Sequence, residues 1–185
     1  ALLASPAAGK VAPGRADEAW RACSGENADA AIAGCTFLIG SRVEAGCTFL
    51  FGSRAEAGEN LAIVWFNRGN AWRAKDEPSR AIADYGRALR LMPRFAGALV
   101  NRGIAWYQLR RFDRAIADYD AAIRLQPDLA EAHNNRALAW HKLGDYARAK
   151  TDFDRTIQLN QNYGNALINR ALPSSPPRPG RDRPN

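Results

Sequence analysis

A short motif returns every 34 residues: NRGNAW begins at Asn67, NRGIAW at Asn101, NRALAW at Asn135 and NRAL at Asn169. Residues 62–95 and 96–129 align without a gap and are identical at 16 of 34 positions. Residues 130–163 keep the register, and residues 164–172 start a fourth copy that stops at Pro173. A period of this size means one small supersecondary unit, unable to bury its apolar face alone, stacked on copies of itself. Few folds satisfy that.

Numbering each copy from 1 to 34 exposes the unit. Position 8 is Gly69, Gly103, Ala137 and Ala171, and position 11 is Trp72, Trp106 and Trp140. Position 20 is Ala81, Ala115 and Ala149; position 24 is Tyr85, Tyr119 and Phe153; position 27 is Ala88, Ala122 and Thr156. Positions 4, 8 and 11 share one helical face and positions 20, 24 and 27 another. Two helices per copy follow, with a turn near positions 15 to 17, where Gly144 and Asp145 stand in the third copy. Pro78 suits the first turn of a helix. Pro93 and Pro127, at position 32, stop the second helix, although Gln161 departs from that rule.

A glycine inside a helix costs about 1 kcal/mol against alanine. Small residues at positions 8 and 20 repay this by letting the two helices approach, with the rings at 11 and 24 filling the space beside them; one buried aromatic contributes roughly 2–3 kcal/mol. On this reading Gly103→Leu unfolds the array and Gly103→Ala, by analogy with Ala137, is nearly neutral.

These residues resemble the tetratricopeptide repeat (TPR) family over residues 62–172. The resemblance implies an all-α solenoid of antiparallel helix hairpins wound as a right-handed superhelix, with full repeats at 62–95, 96–129 and 130–163 and a partial one at 164–172. Arginine at position 7 (Arg68, Arg102, Arg136, Arg170) departs from the family's large apolar residue, and its stem is expected to cover apolar surface with the head in water.

Residues 16–61 resemble a degenerate repeat. With Ala31 and Ile32 matched to Ala81 and Ile82, Cys35 takes position 24 and Cys23 lies on the preceding helix, so a bridge between them is available. A twelve-residue duplication follows, GCTFLIGSRVEA (34–45) and GCTFLFGSRAEA (46–57), identical at ten positions. It makes Cys47 a copy of Cys35, so Cys23 pairs with either, or all three thiols stay reduced. Twelve residues is not a unit of the repeat; the duplication reads as an insertion that displaces the first hairpin, with Gly40, Gly46 and Gly52 interrupting the helix. Residues 1–15 read as disordered or as the remnant of a leader, since ALLASPAA has the form of the end of an export signal. That and a disulfide favour a periplasmic or secreted bacterial protein, with a cytoplasmic location as the alternative. Residues 173–185, rich in Pro and Arg, read as disordered.

No catalytic constellation, phosphate loop or metal spacing stands out, so no enzyme, cofactor or metal is expected. His133 and His141 read as packing and surface residues. Asp84, Asp118 and Asp152, at position 23, follow Arg80, Arg114 and Arg148 by four residues, which predicts exposed ion pairs worth about a few tenths of a kcal/mol. The net charge of +7 lies outside the expected groove, whose charges Arg73, Lys142 and Glu131 nearly balance. No run of 18 uncharged apolar residues occurs, so no membrane span is expected.

The resemblance assigns positions 2, 5, 6, 9, 12 and 13 to a concave groove that binds a protein or peptide. Here Asn67, Asn101, Asn135 and Asn169 repeat at position 6, with Asn70 nearby, and each amide offers a donor and an acceptor to an extended backbone. Phe66, Val100, Ile104, Tyr107 and Leu138 form the expected apolar patch. Family members that clamp a carboxyl terminus use Lys and Arg at positions 2, 5 and 6; Ile63, Phe66, Gly97, Val100, Glu131 and Asn134 leave that clamp absent. The alternatives are a homo-oligomer formed through an uncapped end after Leu172, and nucleic-acid binding by a basic outer face.

Overall fold

The computed structural model describes residues 13–25, 27–44, 54–161, 163 and 170. Among them are eight α-helices and no strand: α1 (Pro13–Cys23), α2 (Ala28–Glu44), α3 (Arg54–Ala74), α4 (Pro78–Leu91), α5 (Ala96–Gln108), α6 (Phe112–Leu125), α7 (Ala130–Leu143) and α8 (Tyr146–Leu159). They pair as four hairpins, each packed on the next.

Local chemistry sets the ends. Asn27 accepts the Ala30 amide at 3.0 Å ahead of α2, and Asp145 accepts that of Arg148 at 3.0 Å ahead of α8. Pro78 opens α4, where its missing N–H loses nothing. Each turn inside a repeat passes through one left-handed residue at position 15: Asp76 (φ 57°), Arg110 (φ 58°) and Gly144 (φ 82°). Only the glycine takes this conformation without strain.

The cores follow the repeat. Ala81, Tyr85 and Ala88, then Ala115, Tyr119 and Ala122, then Ala149, Phe153 and Thr156 are buried between the paired helices. A methyl group at Gly103 would lie 2.5 Å from Cε1 of Tyr119, and one at Gly69 2.6 Å from Cε1 of Tyr85. Gly103→Ala is therefore not neutral: the ring already fills the space, and Ala137 packs instead against Phe153.

The aspartates at position 23 are not on a solvated face. Asp84, Asp118 and Asp152 are only 2%, 6% and 5% exposed. Each is held by the position-7 arginine of its own hairpin. Nε of Arg68 meets Asp84 at 2.7 Å, Nε of Arg102 meets Asp118 at 2.8 Å and Nε of Arg136 meets Asp152 at 2.8 Å, each with a second bond from Nη2. Position 7 thus holds a cation because position 23 holds an anion.

The same arginines tie neighbouring hairpins. Nη1 of Arg136 reaches Asp120 of the preceding hairpin at 2.6 Å, and Nη1 of Arg68 reaches the Thr36 hydroxyl at 3.0 Å. Thr36 is the position-25 equivalent of Asp120, so the first hairpin stacks in register, where displacement was expected. Cys35, Leu38 and Val64 form the core of that junction, and Lys75 pairs with Asp29 at its edge. Helix α2 runs through Gly40 to Glu44, so Gly40 does not interrupt it; Gly46 and Gly52 lie outside the described residues. Cys23 and Cys35 are bonded at 2.01 Å, across α1 and α2, and Cys47 lies outside the described residues. No helix among the described residues is long and apolar enough to cross a membrane.

Candidate functional site

The first helices α3, α5 and α7 carry positions 6, 9 and 12, the expected groove positions. Asn67, Asn101 and Asn135 there are half-buried, as are Asn70, Ile104, Leu138 and Tyr107. Asn169 falls outside the described residues.

Asn70 and Asn101 are already joined. Nδ2 of Asn101 donates to Oδ1 of Asn70 at 2.8 Å, and the Tyr85 hydroxyl donates to the same oxygen at 2.8 Å. The Asn70 carbonyl is thereby occupied and its N–H groups are left to the groove. Burial, partly offset by nearby Arg73, pushes the Tyr85 phenol up to about 12, which keeps the hydroxyl a donor. Burial also raises Tyr119 and Tyr107 above the usual tyrosine range. This brace escaped sequence reasoning, which treated position 24 as packing alone. Its signal is that only the first copy has an amide, Asn70, at position 9 beside a tyrosine at position 24.

Two members of the expected apolar patch differ from the rest. Val100 is 2% exposed and belongs to the core with Leu99, Ala115 and Tyr119, so it offers no surface to a ligand. Asn134, also at position 5, is buried at 4%. Position 5 therefore faces the core in the second and third repeats. Phe66 remains half-buried, its ring 4.7 Å from that of Phe95 and 5.9 Å from that of Tyr85. Ile104 and Leu138 lie along the groove, and Tyr107 stands edge-on to Phe112 at 5.2 Å.

At the first end of this row is a cleft of about 330 Å³ whose wall includes Gly25, Ala28, Ala31, Asn67, Asn70 and Ala74. Among the described residues its lining carries no charge, and its amides come from Asn67 and Asn70. Arg73, one turn further on, has a buried Nε without a hydrogen-bond partner. His133 is buried against Asp152, Nδ1 to Oδ1 at 3.5 Å, and against the Pro127 carbonyl, Nε2 to O at 3.0 Å. It acts in packing, as its position 4 suggests. No cluster of three or more potential metal ligands occurs among the described residues.

Models of the tetratricopeptide repeat match residues 62–95 and 130–163, and a TPR repeat model matches residues 107–144. No curated protein matches the sequence. Among solved structures, the first TPR domain of Spaghetti (RPAP3), bound to the HSP90 peptide SRMEEVD, is 25% identical, with a TM-score of 0.60 over 60% of this chain and 89% of that one. The second TPR domain of human RPAP3, in complex with the HSP70 peptide SGPTIEEVD, is 26% identical, with a TM-score of 0.59 over 61% and 94%. The Sgt2 TPR domain from Aspergillus fumigatus is 26% identical, with a TM-score of 0.57 over 59% and 74%. Hairpins in a 34-residue register, two of them matched end to end by a repeat model and a third match spanning residues 107–144, make this chain a tetratricopeptide repeat protein.

Proposed function

We infer that this chain is a protein-interaction module whose concave groove holds a peptide or protein segment, and that it acts by binding, without a catalytic step of its own. The observation that carries the reading is the row of half-buried amides, Asn67, Asn70, Asn101 and Asn135, flanked by Ile104, Tyr107 and Leu138. Amides satisfy the N–H and C=O groups of an extended backbone, and the apolar side chains take up alternate side chains of the ligand. Two similar TPR domains hold HSP90 and HSP70 peptides. Here positions 2 and 5 carry no Lys or Arg, so the ligand is read through backbone amides and apolar contacts, with a terminal carboxylate contributing little.

The experiment is a pull-down from cells of the source with the full chain and with Asn67, Asn101 and Asn135 all changed to Ala, both folded by circular dichroism. Loss of the same prey from the variant supports the groove; an unchanged prey list removes it.

A bridge between Cys23 and Cys35 supports an oxidising compartment, periplasmic or extracellular. Thiol alkylation of protein taken directly from cells should block Cys47 alone; three blocked cysteines before reduction would refute that location.

A further inference from the structure

The first helices carry a second regular face. At 3.6 residues per turn, positions 7 and 11 lie roughly opposite position 9 of the groove. There the arginine at position 19 of each hairpin stands over the tryptophan at position 11. The guanidinium of Arg80 is 4.6 Å from the Trp72 ring centre, that of Arg114 is 4.7 Å from Trp106 and that of Arg148 is 4.6 Å from Trp140.

The two arginine series do different work. Those at position 7 are neutralised by buried aspartates. Those at position 19 are exposed, and among the described residues neither Arg80 nor Arg114 makes an ion pair; Arg148 has a 3.4 Å contact with half-exposed Asp145. A guanidinium held over an indole is fixed in position while its edge N–H groups stay free to donate to a carboxylate. Position 22 beside each stack is small, Ala83, Ala117 or Thr151. At the third stack there is a cleft of about 270 Å³ lined by Arg136, Trp140, Arg148, Thr151 and Asp152.

We propose that this row is a docking surface for an acidic, extended polypeptide segment, one carboxylate seated on each of Arg80, Arg114 and Arg148. It is independent of the groove. The three arginines stand on α4, α6 and α8, one per hairpin, so an extended segment, rising about 3.3 Å per residue, can span them with acidic residues at regular intervals. Nucleic acid fits less well: one face of each indole is covered by its own arginine, so no base stacks there. A charge about every 3.4 Å along a strand of duplex would also leave most phosphates without a partner.

The test uses the full chain and a fluorescent synthetic peptide with glutamate at every third position and serine between. Its binding should weaken about tenfold when Arg80, Arg114 and Arg148 are changed to Gln. Changing Arg90, Arg94 and Arg124 to Gln, which removes the same formal charge, should alter it by less than about twofold, and the Asn67, Asn101 and Asn135→Ala variant should bind as the parent does. Equal losses from the two arginine triples would reduce the effect to net charge and overturn the proposal. Tighter binding of a single-stranded oligonucleotide of equal charge would overturn it in favour of nucleic acid. Tryptophan emission of the unaltered protein should shift on saturation; an unchanged spectrum overturns the proposal whether or not the variants fold.

Discussion

Arg102 grips Asp118 through two parallel hydrogen bonds, Nε to Oδ2 at 2.8 Å and Nη2 to Oδ1 at 2.6 Å, across the interface of α5 and α6. The aspartate side chain is 8% exposed and the arginine 26%. Removing one partner leaves the other charge partly buried and unpaired. Allowing for the exposure of the arginine, Asp118→Asn should lower stability by about 2–3 kcal/mol, and changing both residues to Leu should recover much of it. Urea unfolding midpoints measure this. An unshifted midpoint for Asp118→Asn would mean the pair is held only as a surface contact.

Glycines in the first helices should respond to alanine with opposite signs. A methyl at Gly103 presses on Tyr119, a ring that is 1% exposed and unable to swing away, so Gly103→Ala should cost about 1–3 kcal/mol. Among the described residues nothing lies within 4 Å of the equivalent atom at Gly58, so Gly58→Ala should gain about 0.5–1 kcal/mol from helix propensity. Thermal melts of the two variants would contradict this if they moved in the same direction.

One bridge between hairpins is incomplete. Arg136 reaches back to Asp120, but the residue in that place before Arg102 is Gly86, where an added Cβ would meet, among the described residues, Nη1 of Arg102 at 4.0 Å. Gly86→Asp should supply the missing partner and remove a helical glycine, raising stability by about 1 kcal/mol. The share of the gain owed to the new pair should disappear when Arg102 is changed to Leu; a gain undiminished by that change would assign it to helix propensity alone.

Acid should weaken the third hairpin through Asp152. Burial pushes its carboxyl up, but the hydrogen bonds from Arg136 and His133 outweigh this and hold it below the usual carboxylate range. A depressed folded-state value means the stabilisation is complete above the unfolded value near 3.9 and is lost as the pH falls through the folded one. Stability measured from pH 5 downward should fall more steeply in the parent than in Asp152→Asn. Parallel curves would show that the carboxylate does not carry the acid sensitivity.

How much of this could be read from the letters depends on how far apart the interacting residues lie. The hairpins, the buried position-24 rings and the placement of Cys35 at position 24 all follow from periodicity, because each is repeated in register. The arginine–aspartate pairs do not follow from local spacing: the four-residue interval from Arg80 to Asp84 points to a neighbour on the same helix, whereas the true partner, Arg68, is on the other helix of the hairpin. Its signal was the joint recurrence of Arg68 with Asp84, Arg102 with Asp118 and Arg136 with Asp152, always 16 residues apart. Val100 was misplaced because position 5 borders both groove and core, and its side chain packs with Leu99, Ala115 and Tyr119 of its own hairpin. The left-handed turn was legible at Gly144 but not at Arg110, where the stacked hairpins impose a conformation that the residue itself disfavours.

The central claim is that stacked hairpins leave a groove that grips another polypeptide. Its most direct measurement is photo-crosslinking from a benzoylphenylalanine placed singly at Ile104, at Leu138 and, as a control, at exposed Gln126 between α6 and α7. Ile104 and Leu138 should yield the same crosslinked partner and Gln126 none; a partner captured from Gln126 but from neither groove position would contradict a ligand held in the groove.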